Sequence, residues 1–385
     1  MEKVYLLSAA QTPFGRLEKS GRDLLVEACV RAIECAGITP KDIDAGYVAN
    51  SFGFVEWQSH YGPILMSTLG NPDAPCMTVA SACASGSSAL HEAYMGIAGG
   101  FYDCVLVAGF DRIEVKDTTK LTTYFTMGCD RVFEAENGAT FPGLYALMAS
   151  EYIMRYGATE EDLAHIAVKN HSNALHNPVA HIQKKISVED VMNSPYIARP
   201  LKLLDCCPFS DGAAAAVLCS EGFIRRFRGE RIRVVASSLT GGEITLHTRG
   251  DFTTIPSAVR AGKDAFRQAR FTRKDIDMLE VHDCFTVAEA IALEDLGFAE
   301  RGKGAFLARE GVTAIDGDIP VNPSGGLKAK GHPVSATGVA QVVEVYEQLM
   351  SLAGGRQING AEVALTHNVG ATGGSCAVHI FRRVK

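Results

Sequence analysis

Short apolar runs alternate with segments of helical spacing along most of the chain. Val4–Ala9 has the pattern of a buried strand and stops at Gln11-Thr12-Pro13. Asp23–Ala36 gathers its apolar residues on a helical face and ends at Gly37, the residue type that most easily takes the left-handed turn closing a helix. Ala45–Phe52 predicts a second strand and Met77–Ala82 a third. A tight run of small residues follows, Cys83-Ala84-Ser85-Gly86-Ser87-Ser88. Then come a helix over Ala89–Ala98, a stop at Gly99-Gly100 and a strand over Cys104–Ala108. The C-terminal part has the same form. Turns at 322–326 and at Gly331-His332-Pro333 lead into a helix over Ser335–Leu352, a stop at Gly354-Gly355 and a strand over Glu362–Thr366. Strand–helix–strand units predict α/β layering, and two units of one plan predict an internal structural duplication. Each unit puts a reactive residue, Cys83 or His332, just before a helix N-terminus.

Val115–Asp205 breaks this rhythm. It is rich in Thr, Met, Tyr, His and Asn and reads as an inserted subdomain, after which Ser210–Cys219 returns to a buried-strand pattern. The expected division is 1–115 and 206–245 for a first domain, 116–205 for the insertion and 246–385 for a second domain. Five arginines at 225, 226, 228, 231 and 233 read as a solvated helix end and loop, with a contact to a phosphate as the functional alternative.

Composition narrows the class. The 385 residues are 47% hydrophobic and 21% charged, as in ordinary globular proteins. A net charge of −7 gives no reason to expect nucleic acid or an anionic membrane as partner. No apolar run approaches the roughly 20 residues of a membrane helix, and the N-terminal stretch lacks the pattern of a signal peptide, so a cytoplasmic protein is expected. The eleven cysteines are scattered without CxxC spacing, which speaks against a disulfide framework or zinc ribbon and suits a reducing compartment.

Four segments carry candidate chemistry. SACASGS sets Cys83 at a strand-to-helix turn, where unpaired N–H groups and the helix dipole favour a thiolate and small neighbours admit an acyl group. GHP fixes His332 between two backbone-restricting residues, where it can take a proton from a thiol. His282-Asp283-Cys284-Phe285 supplies an imidazole, a carboxylate and a second thiol between a strand and a helix. Zinc is disfavoured there for want of a second cysteine at ligand spacing, and Asp283 also suits a helix cap. HNVGATGG, from His367 to Gly374, offers glycines whose amides suit an oxyanion hole or simply a turn.

CASGS, HDCF, NPSGGLKAKGHPVSATG and HNVGATGG, in this order and at these separations, resemble the thiolase superfamily. The HDCF form is similar to its sterol-carrier-protein branch. The resemblance spans essentially the whole chain. It implies a five-layered α/β/α/β/α fold of two similar halves with an inserted loop domain, a homodimer or higher oligomer, and CoA-dependent cleavage or Claisen-type formation of a 3-oxoacyl-CoA. Coenzyme A is then a substrate, and no metal or permanently bound cofactor is required. By position Cys83 is the expected nucleophile, His332 its activator and an oxyanion donor, His282 the occupant of the place of the NEAF asparagine, and Cys284 the acid/base. The amides of Cys83 and Gly370 make the second oxyanion hole. This sequence has Asn368-Val369-Gly370 where many thiolases have CxG. Acetoacetyl-CoA is the default substrate. A branched or aryl substrate such as benzoylsuccinyl-CoA, handled with a small OB-fold, zinc-ribbon subunit, is the alternative, and Phe52, Phe54, Trp57, Tyr124 and Phe125 are candidates for its pocket or for core and interface packing. A condensing enzyme with a Cys-His-Asn site, a thiolase-fold aldolase and a non-catalytic acyl-CoA-binding subunit are rivals. Retention of Cys83, His332 and Cys284 together argues against all three.

Overall fold

The computed structural model describes residues 2–113 and 117–385, apart from the side chain of Phe54. The first half runs β1 (Val4–Gln11), α1 (Gly21–Ala36), β2 (Ala45–Ala49), α2 (Tyr61–Leu69), β3 (Cys76–Val79), α3 (Ser85–Ala98) and β4 (Cys104–Asp111). The intervening segment holds α4 (Thr118–Phe125), α5 (Phe141–Tyr156), α6 (Glu160–Ala174), α7 (Val188–Asn193) and a small hairpin of β5 (Tyr196–Ala198) and β6 (Leu201–Lys202). β7 (Gly212–Ser220) and α8 (Glu221–Ile224) return to the first half. The second half contains β8 (Arg231–Gly241), α9 (Pro256–Ala269), β9 (Met278–Glu280), α10 (Thr286–Leu296), α11 (Gly326–Ala329), α12 (Thr337–Leu349), β10 (Val363–Gly370) and β11 (Ser375–Val384).

The strand order is β3-β2-β4-β7-β1-β8-β11-β10-β9, with Leu279 of β9 bridged in parallel to Val321 at the far edge. Split between β1 and β8, this is one order written twice. β2 lies parallel to β3 and β4, as β9 lies parallel to the Val321 bridge and to β10. β7 is antiparallel to β4 and β1, as β11 is to β10 and β8. The halves meet where Val4–Leu6 pairs with Ile232–Val234. The duplication expected from the sequence is therefore present in topology. α3 and α12 lie between the two half-sheets and share one apolar core with both, including Leu90, Ile97, Val339 and Val343. A second core underlies α1 and α2 on one outer face, and a third underlies α9 and α10 on the other.

Several boundaries differ from the sequence reading. β2 and β3 end earlier than Ala45–Phe52 and Met77–Ala82 suggest, and after β3 the chain turns at Ala82, with φ 48°, into the cysteine segment. α3 starts at Ser85 rather than Ala89, since its seryl and glycyl residues are buried against α12 instead of forming a loop. α12 stops at Leu349, before the glycines at 354 and 355, which belong to a separate turn. β10 runs through Asn368 and Gly370, so only 371–374 form the turn. The expected boundary between residues 115 and 116 lies outside the described residues. No helix among the described residues is long and apolar enough to cross a membrane.

Candidate active site

The centre of the molecule is built by glycine. A β-carbon on Gly86 of α3 would stand 2.8 Å from the Ser335 carbonyl and 2.9 Å from the Val339 nitrogen. One on Gly338 of α12 would stand 2.3 Å from the Ser87 nitrogen. The N-terminal turns of the two helices thus touch backbone to backbone, which only residues without side chains allow. Cys83 precedes α3 by two residues and His332 precedes α12 by five, so this crossing brings the two halves' reactive groups together.

Ser85 pins the cysteine turn. Its hydroxyl donates to the Ala82 carbonyl at 2.6 Å and accepts from the Ser81 amide at 2.8 Å, while Ala82 sits at φ 48°. The sulfur of Cys83 and one ring nitrogen each of His282 and His332 lie within 4.8 Å of one another. The two imidazoles meet edge to face, with centroids 5.3 Å apart.

Their hydrogen bonds fix opposite tautomers. The Thr337 hydroxyl donates its proton to the Pro333 carbonyl at 2.8 Å, so its 2.6 Å bond to His332 Nδ1 must be received from Nδ1–H. That leaves His332 Nε2 with a bare lone pair. The Asn368 Nδ2 amide donates to His282 Nδ1 at 3.0 Å, which places the His282 proton on Nε2. His282 Nε2 is buried and has no hydrogen-bond partner among the described residues. One histidine therefore presents an acceptor and the other an unsatisfied donor. The same three residues have the spread of a metal-ligand set, but with His282 in this tautomer they offer two lone pairs rather than three.

Burial sets the resting charges. It pushes the Cys83 thiol up to about 12, against an opposing hydrogen bond from the Ala371 amide, and pulls His332 down to about 3. It also holds His282 well below the usual histidine range. Desolvation thus opposes the thiolate that a helix N-terminus favours, and the balance lies toward a neutral thiol beside a neutral imidazole.

Cys284 opens onto the same cavity and is likewise pushed well above the ordinary thiol range by burial and by Cys207 and Cys83. Asp283 faces the other way. It accepts from the Leu327 amide at 2.7 Å and from Asn170 at 2.7 Å, so the helix it caps is α11 rather than α10, which follows it in sequence. Gly370 ends β10 against the cysteine turn, where a β-carbon would stand 2.6 Å from the Ser81 carbonyl. The amides that favour the Cys83 thiolate are those of Ala371, which follows Gly370, and of Cys83 itself.

The cavity holds about 290 Å³ and is apolar, walled by Phe125, Phe141, Phe209, Phe285, Ile197 and Leu203 around the two thiols. Of the five aromatic candidates, Phe125 is in this wall and stacks on Phe209 at 4.9 Å. Phe52 and Tyr124 border a smaller pocket beside it. Trp57 is 96% exposed and stands apart, and the side chain of Phe54 lies outside the described residues. Arg225 and Arg226 are exposed, Arg226 pairing with Asp42. Thr337, Tyr145 and the partnering of Asn368 with His282 were not legible beforehand, because each acts through a contact distant in sequence or hidden inside a helical pattern.

A cysteine and two histidines of opposite proton placement, contributed by both halves of a duplicated α/β fold over an apolar cavity, suit acyl transfer through a thioester. The comparisons with known proteins agree. The model described as "Thiolase, N-terminal domain" matches residues 4–222, and "Thiolase C-terminal domain-like" matches residues 242–383. The chain belongs to the thiolase family and is an acyltransferase. It is 47% identical to the acetyl-CoA acetyltransferase of Methanothermobacter thermautotrophicus over all of both chains. It is 33% identical to benzoylsuccinyl-CoA thiolase subunit BbsB of Thauera aromatica, over 100% of this chain and 98% of that one. The fold matches that of the Ltp2-ChsH2(DUF35) aldolase with a TM-score of 0.85, over 98% of this chain and 97% of that chain, at 23% identity.

Proposed function

We propose that this thiolase acts on acetoacetyl-CoA, with Cys83 as nucleophile, His332 as its base and Cys284 as the acid/base at C2. In cleavage, the Cys83 thiol gives its proton to His332 Nε2 as the sulfur attacks the 3-keto carbon. Both partners rest neutral, so proton transfer accompanies attack. The charge that develops on the thioester oxygen of the C2 fragment is met by Nε2–H of His282 and by the newly protonated Nε2 of His332. The C2–C3 bond breaks, its electron pair goes to C2, and Cys284 protonates that carbon. The first acetyl-CoA leaves and CoA binds; its thiol gives its proton to the Cys284 thiolate as its sulfur attacks the acyl-Cys83 carbonyl, whose oxygen is held by the amides of Cys83 and Gly370, and His332 returns its proton to the Cys83 sulfur as the second acetyl-CoA leaves. Condensation reverses these steps.

The observation that carries this reading is the buried, unpartnered Nε2–H of His282 beside Cys83 and His332. A buried donor without a partner costs stability unless a ligand satisfies it, and a developing oxyanion does so. The full-length likeness to an acetyl-CoA acetyltransferase supports the acetyl substrate. The 290 Å³ apolar cavity supports a second reading, a branched or aryl acyl group, in line with the likeness to a benzoylsuccinyl-CoA thiolase subunit. A small OB-fold, zinc-ribbon partner belongs with that second reading. The exposed edge strand β3, with Met77 59% exposed, supports a homodimer formed by strand pairing.

The test is incubation of the protein with CoA and a panel of aliphatic and aryl 3-oxoacyl-CoAs, followed by intact mass. An acyl adduct that Cys83→Ala abolishes is expected with acetoacetyl-CoA. Adducts with aryl substrates alone would favour the second reading. Absence of any adduct would overturn the role of Cys83.

A further inference from the structure

The proposed mechanism requires Cys284 to hold a proton at one stage and release it at another. A thiol in an apolar cavity does this only if some group stabilises both forms. The other groups acting on it work against the thiolate, since Cys207, Cys83 and Asp283 push in the same direction as burial.

Tyr145 has the opposite effect. It comes from α5, in the inserted segment, and is 1% exposed. Its ring stacks on Phe285, the residue after Cys284, with centroids 4.7 Å apart. Its hydroxyl donates to the Ala371 carbonyl at 3.0 Å, and Tyr145 and Cys284 line the same cavity, where the hydroxyl favours the Cys284 thiolate. A phenol has one proton and can also accept. When Cys284 is a thiol, the Tyr145 proton goes to the Ala371 carbonyl and leaves the oxygen's lone pairs available to the S–H. When Cys284 is a thiolate, the same proton turns to the sulfur.

We propose that Tyr145 is a positioning residue for Cys284, a hydroxyl rotor that supports both of its protonation states during proton exchange at C2 of the acyl-CoA. This rests on the assignment of Cys284 as the acid/base. In the base step, the C2 proton moves to the Cys284 sulfur and the C–H electron pair enters the enolate. The Tyr145 proton stays on its own oxygen and only changes acceptor. Ala371 lies between the two thiols, with its N–H toward Cys83 and its C=O accepting from Tyr145.

The experiment follows deuterium uptake at the methyl group of acetyl-CoA in heavy water as a function of pH, alongside Cys83 acetylation by intact mass. In Tyr145→Phe, exchange is expected to slow roughly 10- to 100-fold, the worth of one hydrogen bond to a charged group. Its acid limb should move up by about one to two pH units, while Cys83 still becomes acetylated. Tyr152→Phe is the control: it removes another buried hydroxyl from α5, one bonded to Glu294 outside the cavity. It should lower stability and leave the pH limb in place. In a Cys284→Ala background, Tyr145→Phe should add nothing.

A Tyr145→Phe profile with the wild-type limb, or a limb shifted equally by Tyr152→Phe, overturns the proposal. So does wild-type protein that acetylates Cys83 without exchanging C2 protons. Wild-type protein that never acetylates would instead overturn the role of Cys83 itself, a distinguishable failure.

Discussion

Replacing Thr337 with valine tests the tautomer argument directly. Thr337 is 2% exposed, and its hydroxyl donates to the Pro333 carbonyl and receives Nδ1–H of His332 at 2.6 Å. Valine keeps the shape and removes both bonds. His332 then has a buried Nδ1–H without an acceptor, a cost of about 1–3 kcal/mol. The tautomer with its proton on Nε2 and no lone pair toward Cys83 gains by that amount. If the reactive tautomer is lost in proportion, Cys83 acylation slows roughly 5- to 150-fold. The assay is rapid quench of enzyme with saturating acetoacetyl-CoA, with the acetyl adduct read by mass, so that substrate affinity drops out. Thr337→Ser keeps the hydroxyl and should recover most of the rate. A valine variant that acylates at the wild-type rate, or a serine variant as slow as valine, would refute the view that Thr337 selects the base form of His332.

Two further outcomes follow from the same network. Asn368→Asp swaps the Nδ2 donor for a carboxylate that accepts from His282 Nδ1–H, which strips the proton from His282 Nε2; turnover should fall roughly 10²- to 10³-fold, as for loss of one oxyanion donor, measured by steady-state thiolysis with fold checked by circular dichroism. Buried His379, held down to about 3, bears on stability rather than catalysis: its lowered folded-state value contributes stability present above the unfolded value near 6.5 and lost as pH falls toward 3, so the stability gap between wild type and His379→Gln should narrow by about 1.4 kcal/mol per pH unit below 6.5. Urea denaturation at pH 5, 6 and 7 measures that gap, and a gap constant with pH would show that His379 ionises freely in the folded protein.

The layering was readable because buried strands and amphipathic helices leave period-specific traces, as in Val4–Ala9 and Asp23–Ala36. Cys83 and His332 were readable because their small-residue and proline neighbours mark turns. The ionisation of Cys83 was not. A helix N-terminus can be inferred from local sequence, but the burial that reverses its effect, aided by the charge of Asp111 and opposed by the Ala371 amide, is assembled by the fold alone. Asp283 misled for a related reason. Local rules pair an aspartate with the helix that follows it, whereas this one reaches α11, more than forty residues on. Tyr145 lies inside a helix whose apolar pattern hides a functional hydroxyl among core residues.

The contact of Gly86 and Gly338 with opposing backbone separates what can change in this molecule from what cannot. Any side chain added at that crossing alters the spacing of nucleophile and base at once, so selection can only keep it. The cavity wall is under no such constraint. Phe125 and Phe141 belong to the inserted segment and carry no group that holds a proton in the reaction, and Ile197 and Leu203 belong to its hairpin and the turn after it. Descendants of this chain can therefore exchange one acyl group for another by revising the wall, while the machinery beneath it is inherited intact.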